Sequence, residues 1–210
     1  MWFRFARWWC WLFCRFFFRM KFYGLENIPA EGPFIVASNH QSFLDPLFVG
    51  ICIRPLCFMA RDTLFRNWFF GPLLLSVNAI PVRRGQADIA SIRAILEKLK
   101  QGRGVCLFPE ATRTNDGKIS PLKGGFTLLS RRGNAPVIPV LVDGAFECWP
   151  RHKKLFRPGS KITVTYGKPV SAGQIAEMED DQFAALLTDT LRNMQTQTRV
   201  SQGKQPLEYI

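Results

Sequence analysis

Two histidines in 210 residues, no C-x-x-C spacing and no G-x-S-x-G elbow leave this chain few routes to chemistry. The six cysteines (Cys10, Cys14, Cys52, Cys57, Cys106 and Cys148) form no cluster with His40 or His152, and several lie in apolar runs such as Val105-Cys106-Leu107-Phe108. That pattern reads as buried free thiols in a reducing compartment, and no disulfide framework or metal site is expected. A cleaved signal peptide also fits poorly, since the apolar stretch between the arginines is short and no small-residue cleavage site follows it. No internal repeat or linker divides the chain, which has the length of one domain able to bury its own core. Acids are scarce: 16 against 28 Lys and Arg, a formal net charge of +12. Such a surplus favours an anionic partner, whether nucleic acid, an anionic bilayer or a phosphorylated substrate.

What is present is concentrated first at residues 1–22, which hold four tryptophans, seven phenylalanines, Arg4, Arg7, Arg15, Arg19 and Lys21, and no acid. A spanning helix needs about 20 largely uncharged residues, and an arginine near the bilayer centre costs on the order of 3 kcal/mol. Arg15 interrupts this run, so the segment does not read as spanning. At 100° per residue the five cations fall within an arc of about 160°, with most of the aromatic bulk elsewhere. The expectation is an amphipathic helix over residues 1–22 lying in a membrane interface, rings at headgroup depth and cations on anionic lipid. Nucleic acid is not expected as a partner, because the densest basic segment is also the most aromatic and no recognised binding module occurs.

Residues 23–210 read as one α/β domain, a central mixed sheet flanked by helices. Apolar, β-rich runs occur at 34–38, 57–60, 79–82, 105–108, 137–142 and 162–166. Helical patterns lie between and after them: Asp88 to Lys100, with Asp88 as cap, Phe126 to Arg132, and Asp180 to Met194. The last dozen residues are polar and expected to fray.

The strand ending at Ser38 runs into Asn39-His40-Gln41-Ser42-Phe43-Leu44-Asp45. In open α/β sheets, ligands collect in the loops leaving the carboxyl ends of strands. His40 and Asp45 would diverge by about 140° on one continuous helix. They meet if His40 lies in the loop, Ser42 caps the next helix and Asp45 faces back from its first turn. A carboxylate on one imidazole nitrogen fixes the tautomer and leaves the other nitrogen as a proton acceptor. With no separate nucleophile in view, such a pair suits activation of a substrate hydroxyl. His152, in a basic polar stretch, reads as surface.

GLENIP, a strand and then NHQSFLD together resemble the opening of the glycerolipid acyltransferase family, known for its NHxSxxD motif. Three later blocks extend the resemblance over about residues 23 to 170. Ala79-Ile80-Pro81-Val82-Arg83-Arg84-Gly85 is similar to the second block, with Arg84 at its arginine and Arg83 where an acid is usual. Phe108-Pro109-Glu110-Ala111-Thr112-Arg113-Thr114 is similar to the third, FPEGTRS, with Ala111 replacing the usual glycine and tightening the turn. Val137-Ile138-Pro139-Val140 matches the fourth.

The resemblance implies that His40 and Asp45 are the catalytic pair and that Glu110 and Arg113 serve acceptor binding. Arg113 would hold the acceptor phosphate through bidentate hydrogen bonds, with Glu110 orienting it. Arg84 and Lys123 are further phosphate contacts. Ala111 and the Gly124-Gly125 pair are alternative sources of backbone donors for a phosphate or an oxyanion. The implied reaction is acyl transfer from acyl-CoA or acyl carrier protein to the sn-2 hydroxyl of 1-acyl-glycerol-3-phosphate, in phospholipid biosynthesis. No metal or prosthetic group is required. The alternative acceptor is another lysolipid, such as a lyso-ornithine lipid. The expected place of work is the cytoplasmic face of a membrane, held peripherally or monotopically on an anionic surface.

Overall fold

The computed structural model describes residues 2–68, 70–76, 78–82 and 89–209. The chain opens with α1 (Trp2–Phe17) and β1 (Arg19–Tyr23), followed by β2 (Phe34–Ser38), α2 (Asp45–Gly50) and β3 (Leu56–Arg61). Two short helices, α3 (Asp62–Phe65) and α4 (Phe70–Ser76), lead to β4 (Ala79–Val82), α5 (Ile89–Lys100) and β5 (Gly104–Leu107). Then come α6 (Thr127–Gly133), β6 (Val137–Asp143), α7 (Ala145–Cys148), β7 (Lys161–Tyr166), α8 (Ala172–Ala176) and α9 (Asp180–Ser201). The seven strands form one mixed sheet in the order β1-β7-β6-β2-β5-β3-β4. Every neighbouring pair is parallel except β6 and β7.

The central strands read as unbroken apolar runs because both faces of the sheet are covered. Successive side chains on β2 go to opposite faces: Ile35 and Ala37 join the core beneath α5, α6, α8 and α9. Phe34 and Val36 join the core shared with α1, α2 and α7. A glycine fixes the entry to the domain. Gly24 takes a left-handed φ of 72°, and a Cβ there would stand 2.0 Å from the Tyr166 carbonyl oxygen. Asn27 donates to that same oxygen at 2.9 Å, stapling the turn to the end of β7.

Three expectations change. The N-terminal helix stops at Phe17 instead of residue 22, and Arg19–Tyr23 becomes an edge strand paired from Arg19↔Lys161 to Tyr23↔Thr165. The cause is local: Arg-Met-Lys-Phe-Tyr alternates polar and apolar, as do residues 161–166, so the two strands bury the same face. Helix α9 continues a further two turns beyond Met194, since Gln195 is fully buried and donates to the Gly117 carbonyl at 3.1 Å. The tail after α9 is tied down and not frayed: Arg199 Nε donates to the Gln205 carbonyl, and the Tyr209 hydroxyl accepts from the Ile119 amide at 3.2 Å.

Candidate active site

The site is assembled where the carboxyl ends of β2, β5 and β6 lie side by side. Immediately after β2, the fully buried Asn39 pairs its side-chain amide with β6, donating to the Val142 carbonyl (2.9 Å) and accepting from the Val142 amide (2.8 Å). The chain therefore leaves the sheet at a fixed angle. Gln41, also buried, donates to the Gly117 carbonyl at 3.0 Å and accepts from the Phe146 amide at 3.2 Å. His40 sits between these two anchors, its carbonyl accepting from the Thr114 amide at 2.9 Å.

Asp45 is fully buried, and a single oxygen, Oδ2, gathers three contacts: His40 Nδ1 at 2.8 Å and the amides of Gln41 at 2.6 Å and Ser42 at 2.7 Å. Its other oxygen finds no donor among the described residues. An ionised carboxylate with two amides on Oδ2 presents only acceptor character to the ring, so the proton lies on Nδ1 and Nε2 is left to accept one. The imidazole is stacked on Phe108 with ring centroids 4.2 Å apart, and its side chain remains 17% exposed. Ser42 does not cap α2. Leu44 is the residue before the helix, and Ser42 Oγ accepts from its amide at 3.3 Å, tightening the loop so that Asp45 opens the helix.

Glu110 has another task than orienting Arg113. Its two oxygens accept from the amides of His40 (2.7 Å) and Ser120 (3.0 Å), so it braces the histidine loop against the segment after β5. The residue is 5% exposed, and burial pushes its pKa up to about 7. The charges of Asp45 and Asp116 push the same way, while the two amides oppose them. Arg113 lies over the Phe43 ring, its guanidinium carbon 3.7 Å from the centroid, which places it beside the dyad on the neighbouring loop. Lys123 is exposed, and its amide donates to the Pro109 carbonyl at 3.3 Å, which keeps it next to Glu110 in space. Arg84, with Arg83 and Asp88, lies outside the described residues. His152 is exposed.

Ala111 holds φ at 61°, in the left-handed region, and its amide donates to the Phe108 carbonyl at 2.9 Å. That donor is therefore engaged in the turn itself, which removes it as an oxyanion contact. Left-handed backbone costs a residue with a Cβ about 1–2 kcal/mol, whereas a glycine loosens the unfolded chain by about 0.4–1 kcal/mol. Ala111 is exposed, so its methyl group contributes little burial. Ala111→Gly is thus expected to stabilise the fold by about 0.5–1 kcal/mol, read from the urea midpoint. A lower midpoint would mean that the turn is not strained.

Asn39, Gln41, Phe108 and Thr114 were not singled out by sequence reasoning. Asn39 and Gln41 flank the histidine; Asn39 opens the NHxSxxD motif, while Gln41 offers only an amide side chain leaving an apolar strand.

A family profile described as Acyltransferase matches residues 19–143. The chain is 32% identical over 174 residues to a 1-acyl-sn-glycerol-3-phosphate acyltransferase of Bacillus subtilis, covering 82% of this chain and 84% of that protein. A chloroplastic 1-acyl-sn-glycerol-3-phosphate acyltransferase of Brassica napus is 28% identical over 181 residues, with 84% of this chain and 50% of that longer protein covered. Among solved structures, the 1-acyl-sn-glycerophosphate (LPA) acyltransferase PlsC of Thermotoga maritima superposes with a TM-score of 0.72 at 25% identity, covering 84% of this chain and 70% of that one.

Proposed function

The chain belongs to the acyltransferase family, and on that premise we propose that it acylates the free sn-2 hydroxyl of 1-acyl-glycerol-3-phosphate, giving phosphatidic acid. The observation that carries this reading is the His40–Asp45 contact at 2.8 Å, with the same carboxylate oxygen held by two loop amides. His40 Nε2 takes the hydroxyl proton as the acceptor oxygen attacks the thioester carbonyl. A tetrahedral oxyanion forms, collapse expels the thiolate, and the imidazolium returns the proton to it, leaving an ester and a free thiol. Asp45 holds the ring and stabilises the imidazolium while it exists. The acyl donor is acyl-CoA or acyl carrier protein.

Arg113, and Lys123 beside it, bind the acceptor phosphate; Arg84 is assigned the same role from its sequence motif alone. The Gly124-Gly125 backbone is the remaining source of oxyanion donors, given that the Ala111 amide is engaged.

Helix α1 docks the enzyme on the cytoplasmic face of an anionic membrane. Trp8, Trp9, Trp11 and Phe16 are all exposed, Phe16 by 82%, while Phe13 and Phe17 pack inward on Phe156. Rings turned to solvent in this number match the interfacial depth that tryptophan prefers. No helix among the described residues is long and apolar enough to cross a membrane.

The test is acyl transfer from a labelled acyl thioester to lysophosphatidic acid on vesicles, beside monoacylglycerol and lyso-ornithine lipid of matched chain length. Loss of the phosphate should lower kcat/KM by about a hundredfold or more, because the cationic pocket is then left unpaired. Arg113→Ala should erase most of that preference. Equal rates on all three acceptors would reject the phosphate assignment while leaving the dyad in place.

A further inference from the structure

One edge of the sheet is β1, laddered to β7 and three strands from β2, and there it carries a charge arrangement that folding alone disfavours. Arg19 and Lys161 occupy directly paired positions on the two strands, with Lys21 one step further along the same face. Like charges set opposite each other across paired strands are destabilising. Arg19, Lys21 and Lys161 form no ion pair among the described residues. The acids nearby are already used: Asp143 lies 3.5 Å from Arg199 and 3.3 Å from Lys204, and Glu147 lies 3.4 Å from Arg199. Charged side chains on an edge strand guard against sheet-to-sheet aggregation, which accounts for Arg19 and Lys21. Lys161 lies beyond the end of the β6–β7 ladder, which stops at Asp143↔Thr163, so β1 is its one strand neighbour and its charge adds to theirs.

Two cavities flank the single edge strand β1, one on its α9 side and the other on its α1 side. One, of about 560 Å³, is ringed by side chains with polar ends, Arg19, Lys21, Lys161, Thr163, Thr198 and Lys204 among them. The other, of about 370 Å³, runs beneath α1 and is lined chiefly by rings and alkyl chains, among them Trp11, Phe18, Phe22 and Ile51. Arg19 and Lys21 line both. A ligand matched to this pair is anionic at one end and apolar at the other. Arg19 stands two residues past the end of α1.

We propose that the β1–β7 edge is a binding site for an anionic phospholipid, its phosphate held by Arg19, Lys21 and Lys161 and one acyl chain entering the cleft beneath α1. The site rests on the interfacial docking of α1 proposed above. It is separate from the acceptor site, and the lipid it takes is a resident of the surface and not a reactant. The enzyme therefore senses the charge of its membrane through the sheet edge and its apolar depth through the helix.

The experiment is vesicle co-sedimentation of the full chain, comparing phosphatidylcholine alone with phosphatidylcholine containing phosphatidylglycerol. Wild type is expected to prefer the anionic vesicles by about tenfold or more. The triple variant Arg19→Gln, Lys21→Gln, Lys161→Gln should lose that preference yet hold phosphatidylcholine vesicles as wild type does. It should also keep its acyl transfer rate in neutral detergent, which shows that it folds. A charge-matched triple elsewhere, Lys100→Gln, Arg132→Gln, Lys168→Gln, should keep most of the preference. Equal losses from the two triples would mean diffuse electrostatic attraction and would overturn the site. Displacement by millimolar inorganic phosphate as effective as by lipid would overturn its lipid character. The failure of α1 looks different: Trp8→Ser with Trp9→Ser should weaken binding to both vesicle types, and a wild type that binds neither removes helix and site together.

Discussion

Alanine in place of His40 is expected to lower kcat for acyl transfer by about 10²–10⁴-fold, the range that a positioned general base contributes. The KM for the acceptor should change little, because the imidazole is not among the groups assigned to the phosphate. The instructive partner is Asp45→Asn. Since one oxygen of Asp45 takes the ring and both amides, an asparagine can keep all three contacts by placing its carbonyl oxygen there. The ring then retains its tautomer and loses only the negative charge that stabilises the imidazolium. Asp45→Asn should therefore be the milder change and Asp45→Ala the harsher, at about 10²-fold against 10³-fold or more in kcat. If asparagine and alanine were equally damaging, Asp45 would act through its charge alone; if both retained full rate, the dyad assignment would fail. Single-turnover rates at saturating acceptor separate these outcomes from effects on binding.

Glu110 should produce the largest pH effect on stability. Its folded pKa, about 7, stands above the ordinary 4.5 because of burial. A carboxyl group raised in this way binds more protons in the folded state than in the unfolded one between those two values. Stability must therefore fall as pH rises from about 4.5 to about 7, and level off above, by about 3 kcal/mol in total. Glu110→Gln removes that slope. It also turns an amide N–H₂ towards one of the backbone donors that Glu110 now satisfies, at a cost of about 1–3 kcal/mol. The variant should thus be less stable than wild type at pH 5 and close to it, or above it, at pH 8. Urea denaturation across that range reads the difference directly, and parallel curves would reject the raised pKa. Because the same carboxyl holds the His40 amide, kcat should also drop by about tenfold from a displaced ring. That loss should be present at every pH.

The contact of His40 with Asp45 was legible because it is local: a strand end, a loop and a helix start within a short stretch bring the two together. The strands from β2 to β7 were legible too: the central ones as unbroken apolar runs covered on both faces, and β7 by its alternation of polar and apolar residues. β1 was not. Its residues follow a helix built from the same amino acids, and counting cations by the helical period absorbed Arg19 and Lys21 into the wrong element. The role of Glu110 was hidden for a different reason. Its partners are backbone amides, one of them 70 positions away, and a backbone amide has no signature in sequence. Sequence reasoning supplied the nearest plausible partner instead, Arg113. The length of α9 was misjudged because residues 195–201 lack an apolar stripe. What holds them is a buried glutamine and the ion pairs of Arg199 with Asp143 and Glu147.

The pairing of β1 with β7 also has a kinetic side. Arg19 meets Lys161, so the N-terminal unit can join the sheet only after nearly the whole domain is in place, and contacts this distant in sequence form slowly. Once formed, β1 remains the outermost strand, laddered on one side only. Its amides should exchange with deuterium before those of the interior strands β2, β5 and β6 under native conditions, opening together with α1 as one unit. Bound vesicles should slow that exchange at residues 19–23 while leaving β2 and β5 unchanged. Such an opening would release α1 while the loops that carry His40 and Asp45, which leave β2 in the middle of the sheet, stay complete.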